Sequence, residues 1–149
     1  MRAAIDAVRI AQTPDGPVPV VVLSVEEESD VLPIFIGFTE ASAIARGLEA
    51  HDIGRPMTHD LLLDVMEELG GRIDTIEVSA LEDDTYLADV TVQTPRGTIE
   101  IDARPSDSLA LAARTNAPIE VAREVYEAGR QSADDFEQLT DIRESQRFA

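Results

Sequence analysis

The sequence predicts an α+β fold, a compact single domain of two βββα-like repeats with helices packed on a mixed or antiparallel sheet. Three observations support this prediction. Short segments of alternating apolar residues lie between turn residues and are followed by capped stretches of helical periodicity. The second half of the chain repeats this order of elements. The chain has 149 residues, of which 44% are apolar, and this matches one domain with a substantial core.

The first half of the chain begins with three predicted strands and one helix. Alternation of apolar residues and the turn residues between them place the strands at residues 3–10, 18–25 and 31–36. The helix is expected to start at Thr39, which is a good N-cap residue, with Glu40 in its first turn. Its expected buried stripe consists of Ala41, Ile44, Ala45 and Leu48.

A second helix is expected between the break at Arg55 and Pro56 and the glycine pair at 70–71. Thr58 is expected to cap its N-terminus, and the glycines are expected to end it. Helical spacing predicts that five apolar residues face inward: Leu61, Leu62, Val65, Met66 and Leu69.

The second half of the chain repeats the βββα order, although a chance similarity of amphipathic segments remains the alternative. The predicted strands are residues 73–78, 86–94 and 98–103, and a helix follows with Ser106 and Asp107 at its start. A short strand at Ile119–Val121 and a helix over residues 123–130 complete the predicted domain, residues 1–130. Residues 131–149 are expected to form an acidic C-terminal tail or a peripheral helix, with three apolar residues at helical spacing: Phe136, Leu139 and Ile142.

The charge balance is strongly acidic, and every basic residue is arginine. The chain carries 30 Asp and Glu residues against 12 basic residues, which gives a formal net charge of −18. At molar salt the Debye length falls to about 3 Å, so dense surface carboxylate is tolerated because its self-repulsion is screened. We therefore predict a high-salt working environment. A genomic bias from lysine toward arginine is the alternative explanation.

Other composition features narrow the class of protein. Cysteine is absent, which excludes disulfides and thiolate metal sites. The first ten residues contain Arg2, Asp6 and Arg9 and lack the apolar stretch of a signal peptide. The longest uncharged apolar run, residues 16–25, is half of the roughly 20 residues that span a membrane. We predict a cytoplasmic protein with no membrane segment.

A rigid turn at Arg55 and Pro56 delivers His59 and Asp60 onto the first turn of the second predicted helix. An imidazole can act as a general acid, a general base or a metal ligand near neutral pH. In the alternative interpretation, Asp60 only complements the helix dipole and His59 packs or caps. The spacing leaves both interpretations open.

A second stretch with polar side chains lies where the sixth strand meets the next helix. Alternation places Asp102 and Arg104 on the same face of the strand, and Pro105 keeps Arg104 extended. Backbone N–H groups at a helix N-terminus can hold an anion or a phosphate. The alternative is a structural ion pair between Asp102 and Arg104, with Ser106 capping the helix.

In their order along the chain, these stretches resemble the bifunctional nuclease domain family, whose members are described as cutting both DNA and RNA. The resemblance covers residues 3–129 and is carried by four ordered motifs: Leu32-Pro33-Ile34-Phe35-Ile36-Gly37 with Glu40-Ala41 and Ala43-Ile44-Ala45, then Leu48-Glu49, then Arg55-Pro56-Met57-Thr58-His59-Asp60-Leu61, then Asp102-Ala103-Arg104-Pro105-Ser106-Asp107. One departure is Phe38, which stands where a proline commonly follows the glycine of the first motif.

The resemblance implies a metal-dependent or acid/base phosphodiesterase acting on nucleic acid, in a compact domain that pairs into a wedge-shaped homodimer with a groove. The implied catalytic residues are Glu49, His59, Asp60, Asp102 and Arg104. The implied substrate contacts are Arg55, Arg104 and Ser106. The implied metal ligands are Asp60, Asp102 and Asp107, which would hold Mg²⁺ or Mn²⁺ because hard cations prefer oxygen ligands. No organic cofactor is expected.

Within this mechanism His59 would move the proton at the attacking water or the leaving oxygen, and Arg104 would clamp a phosphate oxygen. The charge pattern argues against it, because nucleic-acid binders normally carry a basic patch and this chain has no basic run. A second function therefore stays open, a non-catalytic dimeric module that binds a small anionic ligand or a protein partner at the same place. Convergence of the five implied catalytic residues in one cleft would favour the nuclease, and their dispersal would contradict it.

Overall fold

The computed structural model describes residues 1–50 and 54–144. The three strands of the first half are β1 (Arg2–Thr13), β2 (Gly16–Val25) and β3 (Asp30–Phe35). The three strands of the second half are β4 (Arg72–Glu82), β5 (Thr85–Thr94) and β6 (Gly97–Ala103). Three short strands follow: β7 (Ile119–Val121), β8 (Gln131–Ser132) and β9 (Thr140–Asp141). The helices are α1 (Phe38–Glu49), α2 (Thr58–Glu68), α3 (Pro105–Thr115), α4 (Arg123–Gly129) and α5 (Asp134–Glu137), with a 3₁₀ turn at Ile142–Glu144.

The strands of the described residues form one mixed sheet in the order β6-β5-β4-β7-β1-β2-β3-β8, and β9 pairs with β1. Each half of the chain forms an antiparallel three-stranded meander followed by a helix. The short strand β7 joins the two meanders, because it pairs parallel to β4 and antiparallel to β1. This arrangement confirms the predicted α+β fold with its repeated βββα order.

The core lies between the sheet and the helices α1 and α3. Ile44 of α1 and Leu109 of α3 are fully buried against β-strand residues such as Leu23 and Ile76. Apolar burial of this kind stabilises a domain by about 25 cal/mol per Å² of area removed from water. In α1 the predicted stripe holds except at its end, where Leu48 is exposed.

Residues 131–144 form several short packed elements, and neither a single helix nor a frayed tail describes them. The strand β8 extends the sheet beside β3, and β9 pairs with β1. Phe136 is buried against Val20 and Val22, which alternate with Val21 and therefore lie on the face of β2 opposite the main core. The helical spacing of Phe136 and Ile142 was misleading because each residue packs from a separate short element. Residues 145–149 lie outside the described residues.

The prediction that α2 turns its apolar residues inward was wrong. None of the residues of α2 is fully buried, and Leu61, Leu62 and Val65 are each about half exposed. Of the five predicted residues, only Met66 packs against the main core. Periodicity identified an apolar face correctly, but it could not show that α3 already covers β4 and β5, the strands nearest to α2. In the described residues, no helix is long and apolar enough to cross a membrane.

Candidate functional site

The first turns of α1, α2 and α3 meet at one place and bring four charged or titratable side chains together. Glu40 stands in the first turn of α1, and His59 in the first turn of α2. Arg104 is the N-cap residue of α3, and Asp107 lies in its first turn. Helix N-termini carry a partial positive charge and unpaired N–H groups, so three of them together favour a bound anion.

These helices start slightly differently from the sequence prediction. The N-cap of α1 is Gly37 in place of Thr39, and the N-cap of α2 is Met57 in place of Thr58. At α2 the Asp60 carboxylate caps the helix by accepting a 2.9 Å hydrogen bond from the Met57 amide. Ser106 is buried behind Pro105 and does not cap α3.

His59 and Asp107 form a hydrogen-bonded pair. The distance from His59 Nε2 to Asp107 Oδ1 is 3.0 Å, and the His59 side chain is 17% exposed. The hydrogen bond from Arg104 lowers the pKa of Asp107, burial raises it, and the hydrogen bond with His59 lowers it. The net effect is a pKa below the ordinary value. An ionised carboxylate only accepts hydrogen bonds, so Nε2 donates to Asp107. In the neutral tautomer with this hydrogen bond, the ring lone pair lies on Nδ1.

Arg104 stands beside this pair with part of its donor capacity unused. Its Nε and Nη2 donate to the two oxygens of Asp107 at 2.8 and 3.2 Å, and its Nη1 lies 3.5 Å from Glu40 Oε2. A guanidinium has five N–H donors, and these contacts occupy three. Since the side chain is 63% exposed, the remaining donors can reach an oxyanion in solution.

Arg114 ties the three helices together beneath the pair. Its Nε donates to Asp60 Oδ1 at 2.8 Å, and its Nη1 donates to the carbonyls of Ala43 and Ala110 at 2.8 and 2.9 Å. Burial acts to raise the pKa of Asp60, but the Met57 amide and the Arg114 guanidinium outweigh it, so the pKa is lowered. Arg114 is only 8% exposed, so it fixes the start of α2 relative to α1 and α3.

Gly47 makes the position of Arg114 possible. A Cβ atom at Gly47 would lie 2.8 Å from Arg114 Nη1 and 2.9 Å from the Ala113 Cβ. Both distances are shorter than any side chain tolerates, so a glycine is required where α1 approaches α3.

Two connected clefts open around these helix starts. The smaller cleft, about 320 Å³, is lined by Glu40, His59, Arg104, Ser106 and Asp107. The larger cleft, about 630 Å³, is lined by Arg55, Asp60 and Asn116 among others. Arg46, Met57 and Arg114 border both clefts. Volumes of about 300 to 1,000 Å³ are typical of sites for small molecules and cofactors.

The five implied catalytic residues converge only in part, because His59 and Arg104 line the smaller cleft, Asp60 lines the larger cleft, and two residues lie outside both. Glu49 lines neither cleft and lies 3.7 Å from Arg143 Nη1. Asp102 also lines neither cleft. It is exposed on β6, in register with Asp89 of β5, and its expected pairing with Arg104 is replaced by the contacts of Arg104 with Asp107 and Glu40.

The predicted metal ligands do not form a preassembled site. Within residues 1–50 and 54–144, no three His, Asp or Glu side chains are grouped so that they could hold a metal ion. Asp60 is engaged by Arg114 and Asp107 by Arg104, so each carboxylate already has a cationic partner. The donor set of the described residues does not fit a divalent cation bound by Asp60, Asp102 and Asp107 together.

Three site residues were missed by the sequence reasoning: Glu40 as a partner of Arg104, Arg46 as a border of both clefts, and Arg114 as the tie between helices. Arg114 follows an alanine-rich stretch, and an isolated cationic residue at that place was the sequence feature that could have indicated its role. Glu40 was expected in the first turn of a helix and belongs to the first motif, but it was not among the predicted site residues.

Comparison with known proteins identifies the family. Residues 21–134 match the model of the bifunctional nuclease domain. An uncharacterized protein of Mycobacterium tuberculosis is 37% identical over 131 residues, which cover 86% of this chain and 78% of that protein. Bifunctional nuclease 1 of Oryza sativa subsp. japonica is 27% identical over 109 residues, 70% of this chain and 33% of that protein. Bifunctional nuclease 2 of the same plant is 25% identical over 124 residues, 80% of this chain and 38% of that protein.

The family model covers well over half of the chain, and its matched range includes all three helix starts that form the clefts. The chain therefore belongs to the bifunctional nuclease domain family.

Proposed function

We propose that this protein is a nuclease-like phosphodiesterase acting on DNA, RNA or both. The single observation that carries the proposal is the His59–Asp107 pair beside a partly unoccupied Arg104, at three converging helix N-termini. A base, its orienting carboxylate and an oxyanion donor are the groups that hydrolysis of a phosphodiester requires.

In the proposed reaction, a phosphate enters the smaller cleft and its non-bridging oxygens accept hydrogen bonds from Arg104. His59 Nδ1 takes a proton from a water molecule as that water forms a new P–O bond. The opposite P–O bond breaks, and its oxygen leaves with a proton from solvent. Asp107 stabilises the resulting imidazolium because it remains hydrogen-bonded to Nε2.

Assistance by Mg²⁺ or Mn²⁺ remains a prediction, and the steps above do not pass through a metal. When bound to a phosphodiester, such an ion stabilises charge on the phosphoryl oxygens. Metal dependence is therefore a separate arm of the test below.

We also propose that two copies of the chain pair through the surface formed by α2 and β6. The described residues include nine exposed large apolar side chains, and six of them lie on or next to these two elements: Leu61, Leu62, Val65, Leu69, Ile99 and Ile101. Ile99 and Ile101 stand opposite the buried Val92 and Val90, so β6 continues the apolar face of the sheet beyond its helices. β6 is also an edge strand of the sheet, so it can contact the β6 strand of a second copy that is related by a two-fold axis.

The working environment that we propose is a cytoplasm of high salt. The support is the formal net charge of −18 carried without a single lysine. Screening over about 3 Å at molar salt would relieve the repulsion between surface carboxylates.

The proposed activity is tested by incubating the purified chain in multi-molar KCl with single- and double-stranded DNA and RNA. Separate arms contain Mg²⁺, Mn²⁺ or a chelator. Wild type, His59→Ala and Arg96→Gln are compared, because Arg96 is an exposed arginine at the β5–β6 turn, away from both clefts. His59→Ala should lose about 10²- to 10⁴-fold in rate, the usual contribution of a positioned base. Arg96→Gln should cleave like wild type.

Equal cleavage by wild type and His59→Ala would contradict the proposal, since it would point to a contaminating nuclease. Absence of cleavage in every arm, with the fold intact, would favour the non-catalytic module. The larger cleft supports that second candidate, because its cationic lining suits a small anionic ligand without any chemistry.

A further inference from the structure

The larger cleft stands out by its charge. The chain has 12 arginines in a background of 30 carboxylates, and Arg46, Arg55 and Arg114 all line this one cleft. Asp60 is the one carboxylate among the described lining residues. Among the described residues, this lining is therefore cationic on a strongly acidic molecule, which favours a bound anion at short range.

The three arginines do not have the same role. Arg114 is buried and donates hydrogen bonds to Asp60 and to two backbone carbonyls, so it forms part of the wall of the cleft. Arg55 is exposed and comes just before the turn at Pro56. A planar guanidinium on an exposed stem is well suited to a phosphate, which it can bind through two parallel hydrogen bonds.

The position of Arg55 relative to His59 determines what kind of anion can use both clefts. The four residue steps from Arg55 to His59 span at most about 14 Å when fully extended. This upper limit keeps Arg55 within reach of a strand whose phosphate lies beside His59. The clefts share Arg46, Met57 and Arg114 as a common border, so a strand can pass from one to the other.

From this geometry we propose that the larger cleft is a second phosphate subsite, in which Arg55 binds a neighbouring phosphate of the strand whose scissile phosphate lies at Arg104. This inference rests on the proposed nuclease function and adds a second phosphate contact to it. The substrate is a polynucleotide strand with several phosphates, and a mononucleotide engages only the smaller cleft.

The test measures binding separately from cleavage. Fluorescence anisotropy gives the dissociation constants of labelled single-stranded oligothymidylates of increasing length and of thymidine monophosphate, with chelator present, over KCl concentrations at which the fold is intact. Wild type, Arg55→Gln and Arg96→Gln are compared. Arg96 is a suitable control because Pro95 packs against Gly70 beyond the C-terminus of α2, whereas both clefts lie at the N-terminus of that helix.

Arg55→Gln should weaken binding of the longer strands about fivefold and leave binding of the mononucleotide unchanged. The slope of log affinity against log salt should fall by about 0.7, the value for one lost phosphate contact with a single strand. Arg96→Gln should match wild type in both quantities. Circular dichroism with equal melting temperatures establishes that the variants are folded.

Two results would overturn the inference. In the first, Arg55→Gln binds long strands as wild type does. In the second, it loses mononucleotide and strand binding equally, which would make the cleft a site for a small anion. The proposed catalysis is tested separately. If Arg55→Gln weakens strand binding but wild type cleaves no strand, the subsite is supported and the nuclease activity is contradicted.

Discussion

At the scale of single residues, Arg104 and Arg114 each contact more than one acceptor in the site. Arg104 contacts both Asp107 and Glu40, and Asp107 in turn contacts both Arg104 and His59. The two carboxylates differ in function, because Asp107 also orients the imidazole whereas Glu40 has no contact with it in the described structure. Matched substitutions can therefore separate the two carboxylates.

Asp107→Asn is expected to slow cleavage roughly 10²-fold, the lower end of what a correctly oriented base contributes. The physical reason is that a neutral amide stabilises the imidazolium poorly and no longer fixes its tautomer. The matched control is Glu40→Gln, which removes the other carboxylate partner of Arg104 and should change the rate much less. Single-turnover cleavage rates measure both effects, and equal losses for the two variants would argue against the orienting role of Asp107.

At the scale of elements, the close approach of α1 and α3 holds the helix starts in place. Gly47 leaves room for Arg114, and Arg114 bonds to α1, α2 and α3. The short strand β9, which contains Asp141, pairs with β1.

Gly47→Ala is expected to lower the free energy of unfolding by about 1 to 3 kcal/mol, because the added methyl group overpacks the contact with Ala113 and Arg114. Helix propensity alone predicts the opposite sign, since alanine is favoured over glycine by about 1 kcal/mol within a helix. Urea denaturation measures the change. A Gly47→Ala protein as stable as wild type would show that the helices can separate at no cost.

Asp141→Asn is expected to flatten the dependence of stability on acid pH. The hydrogen bond from the Arg143 side chain, opposed by burial and aided by the Arg143 amide, leaves the pKa of Asp141 below its usual value. A carboxyl with a lowered folded-state pKa stabilises the fold above its unfolded pKa of about 3.9, and this contribution disappears as the pH falls through the folded-state pKa.

Wild type should therefore lose stability from this group as the pH falls from about 5 toward the folded-state pKa, and the solvent exposure of Arg143 keeps this loss small. Urea titrations across that range should show a smaller loss for Asp141→Asn. The exposed Asp135→Asn is the control and should keep the wild-type profile. Identical profiles for wild type and Asp141→Asn would contradict the assignment.

At the scale of the whole molecule, two surface properties distinguish this protein: a dense carboxylate charge and exposed apolar side chains on α2 and on β6. The first opposes the approach of like molecules in dilute buffer, and the second favours it. Salt weakens the repulsion and leaves apolar burial intact or strengthened, so both folding and pairing should respond to salt in the same direction.

Val65→Asp and Ile101→Asp are each expected to shift the chain from dimer to monomer, because each would place a charge in the proposed apolar interface. Size-exclusion chromatography with light scattering, at high KCl and several protein concentrations, measures the mass. Phe35→Asp is the matched control, since Phe35 is also exposed and apolar but lies on β3. A monomeric wild type, or equal behaviour of all variants, would contradict the proposed interface.

The melting temperature is expected to rise as KCl increases from millimolar to molar concentrations, because the self-repulsion of a chain with a formal net charge of −18 becomes screened. Circular dichroism follows the transition. Sucrose at equal osmolality is the control, since it is excluded from the protein surface without screening charge. If sucrose stabilises as much as KCl does, charge screening is not the cause.

The elements and their repeated order follow from local patterns in the sequence. The period-two and helical patterns depend on each residue and its near neighbours, so the six long strands and the main helices were predicted close to their observed positions. Motif order likewise indicated the family, and it pointed to His59, Arg104 and Asp107, which the fold brings together.

Burial of surfaces and pairing of charges depend on contacts between segments. Whether the apolar face of α2 is covered depends on α3, which is distant in sequence, and the partners of Asp60 and Asp107 depend on how three helix starts converge. Glu49 and Asp102 carry the right chemistry but lie on a helix end and a sheet edge outside the clefts. Local patterns report the period of a segment, whereas contacts between segments depend on the packing of the whole chain.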